Sequence, residues 1–251
     1  VNLLLDLGNT RLKWMLAEGA RVRGAVGALA WDTPDFESRL DAALAALPPP
    51  RAVHMAVVAA AAREAQVLAC VRRALRIEPR AQHSVATLCG VHSAYREPAR
   101  LGIDRLLGMV AARAAGHAPC VLASLGTALT LDALDAAGRH RGGLIVASPA
   151  LMQQVLLGAA ARVSAQGVGR VVWMADTTED ALSSGAWLAA AALVERFSEE
   201  SAQALDGQPR LLLAGGDAPR LQALVRGASQ LFPDAVLRGL AIAADAQRGA
   251  D

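Results

Sequence analysis

Apolar and polar positions alternate along the chain in blocks that predict strands and helices in turn. In "LLLDLGNTRLKWML" (3–16), an apolar run breaks at Gly8-Asn9 and resumes as a stretch in which Arg11 and Lys13 oppose Leu12, Trp14 and Leu16. A period of two on either side of a tight polar turn predicts a β-hairpin over residues 1–16. "DFESRLDAALAAL" (35–47) places Phe36, Leu40, Ala43, Leu44 and Leu47 at helical spacing, and the prolines at 48–50 end that helix. "VHMAVVA" (53–59) reads as a buried strand, followed by a helix over about 62–77 that is apolar at Leu68, Val71 and Leu75. Strands alternating with helices predict an α/β fold with layered helices.

"VLASLGTALTLDAL" (121–134) repeats the opening shape: an apolar strand, Leu-Gly-Thr in place of Leu-Gly-Asn-Thr, then an alternating strand with Thr130 and Asp132 on one face. A third strand-to-glycine pattern, "LLLAGGDA" (211–218), precedes a helix that begins near Pro219. Glycine turns after apolar strands are common in unrelated folds. The alternative is a duplicated fold with a ligand cleft between its halves, residues 1–115 and 116–251. Helices are expected over 149–163 and 178–205, and the Ala-rich face around 186–194 is a candidate for burial against a second copy, which predicts a dimer.

Composition narrows the function classes. The chain has 251 residues, 54% of them hydrophobic, yet much of that is Ala, and no apolar run approaches the roughly 18 residues that span a bilayer. Asp6 interrupts the first apolar run, against a secretory leader, so a soluble cytoplasmic protein without membrane contact is expected. Cys70, Cys89 and Cys120 are odd in number and far apart, which fits reduced thiols, and Cys89 with His92 lacks the further ligands that zinc needs. With a net charge of +2, dispersed arginines and 3% aromatics, neither a phosphate-tracking stripe nor a base-stacking platform is visible, so nucleic-acid binding is not expected.

Neither common nucleotide-binding loop is present: no GxxxxGK[ST] occurs, and "GVGR" (167–170) lacks the third glycine of a dinucleotide fingerprint. The turn Asp6-Leu7-Gly8-Asn9-Thr10 offers another device. It has backbone N–H groups exposed by Gly, hydroxyl and amide donors for phosphate oxygens, and a carboxylate for Mg²⁺ or its water shell. Lys13 is the only lysine among 25 basic residues. A flexible point charge differs from arginine's planar fork at a phosphate, although one lysine also survives by chance on a solvent-facing strand. In "AYREPARLGIDRLLGMVAARAA" (94–115), Asp104 and Arg105 follow Gly102 at the start of a predicted helix. An acidic residue there either favours the helix dipole or orients a substrate hydroxyl and accepts its proton, with Arg105 holding a polar part of the substrate. Tyr95, the only tyrosine, lies seven residues before Gly102, where a loop can carry it over the same pocket.

Taken in order, "DLGNTRLK" (6–13), "YREPARLGIDR" (95–105), "GTALTLD" (126–132), "GGLI" (142–145), "TTEDALSSG" (177–185) and "AGGD" (214–217) closely resemble the type III pantothenate kinase family. The resemblance implies a duplicated ribonuclease H-like fold of the actin-like ATPase, sugar kinase and heat-shock superfamily. It implies phosphoryl transfer from ATP to the primary hydroxyl of pantothenate, giving 4′-phosphopantothenate on the way to coenzyme A. By position, Asp6, Leu7, Gly8, Asn9, Thr10, Arg11, Leu12 and Lys13 would bind ATP phosphates and magnesium, with Asp6 holding Mg²⁺ through water. Thr127, Gly215 and Gly216 would meet the nucleotide from the second half. Tyr95, Gly102, Ile103, Asp104, Arg105 and Thr178 would hold pantothenate, Asp104 as proton acceptor, and homodimerisation would help enclose that pocket. Ser124 replaces the Asp that many members use for a monovalent cation, K⁺ or NH₄⁺, and Ala147-Ser148 replaces Pro-Gly after the glycine pair. Two other readings remain: a non-catalytic transcriptional accessory protein on the same fold, and a kinase for a different small alcohol.

Overall fold

The opening hairpin forms, with β1 (Asn2–Leu7) antiparallel to β2 (Arg11–Glu18). The structure, a computed structural model, describes residues 1–159 and 167–248. A further strand that the apolar pattern does not predict, β3 (Arg21–Ala30), continues the meander. Its residues are mostly exposed or half-buried, so it carries little apolar signal. The chain then forms α1 (Phe36–Ala45), β4 (Val53–Val57), α2 (Ala61–Leu75), β5 (Arg80–Gln82), the short pair β6 (Thr87–Leu88) and β7 (Val91–His92), and α3 (Ile103–Ala114).

These elements, with the closing helix Ala235–Arg248, make the first of two units, residues 1–116 and 234–251. The long segment of the first unit ends at Gly116, where the expected halves met at 115/116, and the last helix groups with that unit and not with the second half. Its reason is packing. It lies against α3 so closely that a Cβ on Gly239 would sit 2.0 Å from the Leu107 carbonyl oxygen. The unit's sheet has the order β3-β2-β1-β4-β5, with β1, β4 and β5 parallel. Leu3, Leu5 and Leu7 point to the face covered by α1 and α2, where they pack with Phe36, Leu40, Leu44, Val67 and Val71. Leu4 and Asp6, on the alternate positions of β1, face the side covered by α3 and the closing helix.

The second unit, 117–233, contains β8 (Cys120–Leu125), β9 (Ala128–Leu134), β10 (His140–Ala147), α4 (Pro149–Ala159), α5 (Thr178–Ala204), β11 (Arg210–Ala214), α6 (Ala218–Gln222) and β12 (Ser229–Leu231). The closing helix is α7. Strand order is β10-β9-β8-β11-β12, with β8, β11 and β12 parallel and the first three strands of the unit antiparallel. This is the order and sense of the first sheet, so the repeat seen in the two Leu-Gly turns extends to the whole topology.

One expectation changes. The Ala-rich face of α5 is not available to a second copy, because Ala190, Ala191, Trp187 and Val194 pack on Val121, Leu129 and Leu131 of the unit's own sheet. The Ala147-Ser148 departure produces an ordinary helix start: Ser148 Oγ accepts from Leu151 N at 3.2 Å, and Pro149 occupies the first position of α4. The expected helix over 149–163 is seen to Ala159, and its remainder lies outside the described residues.

Candidate active site

In the first unit the polar residues gather at the end of β1. Asp6 and Lys13 are direct cross-strand partners, so both side chains leave the same face of the sheet. That face is the one α3 covers. Asp104, in the first turn of α3, is close enough for its charge to raise the Asp6 pKa, while Lys13 lowers it. Burial is the largest cause and outweighs the Lys13 charge, and the net effect pushes the Asp6 carboxyl up to about 7. Gly102 is the residue before the helix, and a Cβ there would lie 2.6 Å from Asp104 Oδ1, so a larger residue would displace that carboxylate from its present position. Two acidic groups beside one lysine form a site whose charge a divalent cation would complete, and hard oxygen donors of this kind suit Mg²⁺.

The turn itself is held from beneath. Gly8 N donates to Arg11 O at 3.1 Å, and the Trp31 indole Nε1 donates to Gly8 O at 2.9 Å. Asn9, Thr10 and Arg11 are exposed above it. Leu7 and Leu12 are buried in the core, so any contact they make with a nucleotide runs through backbone groups. Ile103 is likewise a core side chain. Trp31 escaped sequence reasoning because nothing local ties it to a turn 23 residues away.

Tyr95 does reach the start of α3. Arg105 is only 5% exposed, and its Nη1 donates to the Tyr95 hydroxyl at 2.8 Å while the guanidinium lies 5.7 Å from the ring centroid. A buried guanidinium beside a phenol is suited to a carboxylate or another polar acceptor.

The remaining expected residues are in the second unit. Gly126-Thr127 is the turn between β8 and β9, closed by Gly126 N to Ala128 O at 2.9 Å. Gly215 follows β11 with φ of +96°, and a Cβ there would lie 2.0 Å from Leu125 O. Only glycine permits both that conformation and that approach, which brings Gly215 and Gly216 beside the Gly126-Thr127 turn. Ser124 stands at the same sheet end, paired with Thr130 and Ala214.

Thr178, the first residue of α5, lines an apolar cavity of about 690 Å³ with Ala147, Met152, Val155, Leu156 and Leu182. The helix start is fixed by contacts that the sequence did not reveal. Asp180 accepts from Arg170 N at 2.7 Å and from Arg170 Nη2 at 2.7 Å, and Ser184 Oγ accepts from Val172 N at 2.9 Å. Arg170 holds the Asp180 carboxyl below the usual carboxylate range. Within β9 and β10, Asp132 and His140 meet at 3.0 Å in the interior of the unit, which places Asp132 in packing rather than on a ligand face.

A profile of the type III pantothenate kinases matches residues 2–200. The chain belongs to the type III pantothenate kinase family. A type III pantothenate kinase of Xanthomonas campestris pv. campestris (strain B100) is 42% identical over 242 residues, 95% of each chain. One from Xanthomonas oryzae pv. oryzae (strain PXO99A) is 42% identical over 226 residues, 90% of each. Membership in this family of ATP-dependent kinases makes the chain a pantothenate kinase of coenzyme A biosynthesis. Among solved structures, the Acidaminococcus fermentans (R)-2-hydroxyglutaryl-CoA dehydratase component A aligns with a TM-score of 0.52 at 13% identity, covering 100% of this chain and 99% of that one. A ROK family glucokinase from Streptomyces griseus aligns at 0.50 with 14% identity, covering 99% of both. At these identities the likeness concerns the fold, and it agrees with the duplicated ribonuclease H-like architecture of the two sheets.

Proposed function

We propose that Asp104 is the group that receives the proton of the pantothenate hydroxyl and that residues 6–13 hold the phosphates of ATP. The hydroxyl oxygen bonds to the γ-phosphorus, the bond to the bridging oxygen of ADP breaks, and the hydroxyl proton passes to Asp104. The observation that carries this reading is the convergence of Asp6, Lys13 and Asp104 at one end of the first sheet. An aspartate is a weak base toward an alcohol, but in a loose phosphoryl-transfer transition state aiming the nucleophile matters more than early proton removal.

Mg²⁺ enters with ATP and supplies charge neutralisation; Asp6 is the carboxylate placed to hold it, directly or through water. Lys13 balances phosphate charge from the neighbouring strand. Arg105 and Tyr95 bind the polar end of pantothenate, with Thr178 contributing from α5, and Thr127, Gly215 and Gly216 receive the nucleoside side. Ser124 offers a hydroxyl oxygen without charge, which supports a weakened or differently built K⁺ or NH₄⁺ site. We place the enzyme in the cytoplasm as a homodimer, its partner subunit helping to enclose pantothenate. Among the described residues no helix is long and apolar enough to cross a membrane.

The deciding experiment is ADP release with Mg-ATP, with and without pantothenate, in K⁺, NH₄⁺ and cation-free buffer, for the natural chain and D104N. Pantothenate-dependent release that falls by about 100-fold or more in D104N, with KM for ATP little changed, is expected. Only a shallow response to monovalent cation is expected; a sharp loss without it, restored at low millimolar concentration, contradicts the Ser124 reading. Binding of ATP without pantothenate-dependent turnover in any buffer favours the accessory protein, and turnover with another short alcohol favours the different-substrate kinase.

A further inference from the structure

We infer that Trp31 is a positioning residue for ATP: its indole N–H fixes the Gly8 peptide and thereby aims the Asn9 amide at the phosphates. The inference rests on reading residues 8–10 as the phosphate turn. Trp31 lies just beyond β3 and is 8% exposed, yet its ring nitrogen donates to Gly8 O at 2.9 Å. Because a peptide group is planar and trans, a carbonyl drawn inward sends the N–H of the next residue outward. That next residue is Asn9, at the exposed crest of the turn.

The neighbouring carbonyls are pinned as well. Leu7 O accepts from Val58 N and Ala59 N, each at 3.0 Å, and Thr10 O accepts from Trp31 N at 3.2 Å. Without the indole, the Gly8 peptide would be the loose link of the turn, and glycine flanks it with the widest conformational choice. The indole cannot easily swing away. Phe36 tilts against it at a centroid distance of 5.1 Å, and the Arg63 guanidinium lies 5.5 Å from its centroid. One aromatic residue therefore ties the turn to the first turns of both α1 and α2. An amide already aimed at its anion avoids the ordering cost that a mobile turn pays on binding.

W31F keeps an aromatic ring in the core and removes the donor. In the full chain, KM for Mg-ATP is expected to rise about three- to tenfold, the effect of one hydrogen bond, with kcat and KM for pantothenate within about twofold. Amide exchange of the nucleotide-free protein should quicken at Gly8, whose N–H closes the turn on Arg11 O, and stay unchanged in α2. An unchanged KM for Mg-ATP overturns the inference, and so does a parallel rise of both KM values with a lower melting temperature. K13A in the same assay separates the two claims. Weakened Mg-ATP binding in K13A but not in W31F removes the role of Trp31 alone, whereas no weakening in K13A removes the phosphate-turn reading beneath it. Should W31F fold poorly, benzothienylalanine at position 31, which has the shape of tryptophan without the N–H, must reproduce the loss or the inference falls.

Discussion

Asp6 is the residue at which function and stability pull in opposite directions. Its folded pKa of about 7 lies above the ordinary 3.8, so the folded protein binds the proton more tightly than the unfolded chain does. For such a carboxyl the stabilisation is complete below the unfolded pKa and is lost as pH rises toward 7. Asparagine imitates the protonated form at every pH. D6N should therefore raise the stability of the nucleotide-free protein at pH 8 by on the order of 1–3 kcal/mol, and the advantage should vanish near pH 4. Thermal melts of both proteins across that range read the difference; equal melting temperatures at pH 8 count against a desolvated Asp6. Turnover should fall by about 100-fold, since the group proposed to hold magnesium loses its charge.

At the scale of elements, the position of Asp104 depends on how α3 meets α7. The two helices touch backbone to backbone at Gly239 and Leu107, and no side chain fits between them. G239A should push the helices apart and cost about 2–4 kcal/mol, read as a lower denaturation midpoint with the slope unchanged. It should also reduce turnover more than it alters KM for ATP, because α3 carries Asp104 and Arg105 while the proposed phosphate turn belongs to β1 and β2. The start of α5 is built in a different way, by side chains instead of close backbones. Asp180 and Ser184 hold residues 170–172 against the helix that begins with Thr178, and a Cβ at Gly169 would lie 1.9 Å from Glu179 O.

For the whole molecule, an apolar surface left without cover among the described residues lies on the second unit. Ile145 is 61% exposed on β10, Val155 and Leu156 of α4 are 57% and 50% exposed, and the latter two line the cavity that includes Thr178. A face of this kind beside Thr178, the residue proposed to contact pantothenate, is where the proposed second copy would sit. The pair of substitutions V155E and L156E should convert the proposed dimer to monomer by light scattering. KM for pantothenate should rise about tenfold or more while KM for ATP changes little, because the partner is assigned to the pantothenate side. A dimer that survives both changes places the interface elsewhere.

The two Leu-Gly turns, the strand alternation around them and the spacing from Gly102 to Arg105 were legible because each depends on a local rule: a period of two, a residue that tolerates tight turns, a helix that begins where apolar periodicity begins. Those rules reached the hairpin and the duplicated topology, and they named Asp6 with Lys13 and, separately, Asp104 as candidates, which only the family resemblance joined in one site. They missed β3, whose exposed residues lack a pattern, and misassigned the Ala-rich face of α5, since periodicity says that a face is buried but not against what. The first-unit address of α7, the cap that Ser148 provides, the Asp180 to Arg170 contacts and the Trp31 bond to Gly8 join residues by tertiary approach. The sequence determined which residues could do the chemistry and the order of the elements that carry them. Tertiary structure decided which were drawn together, because close packing at points such as Gly239 and Gly215 is set by the space between elements, and no local pattern encodes that space.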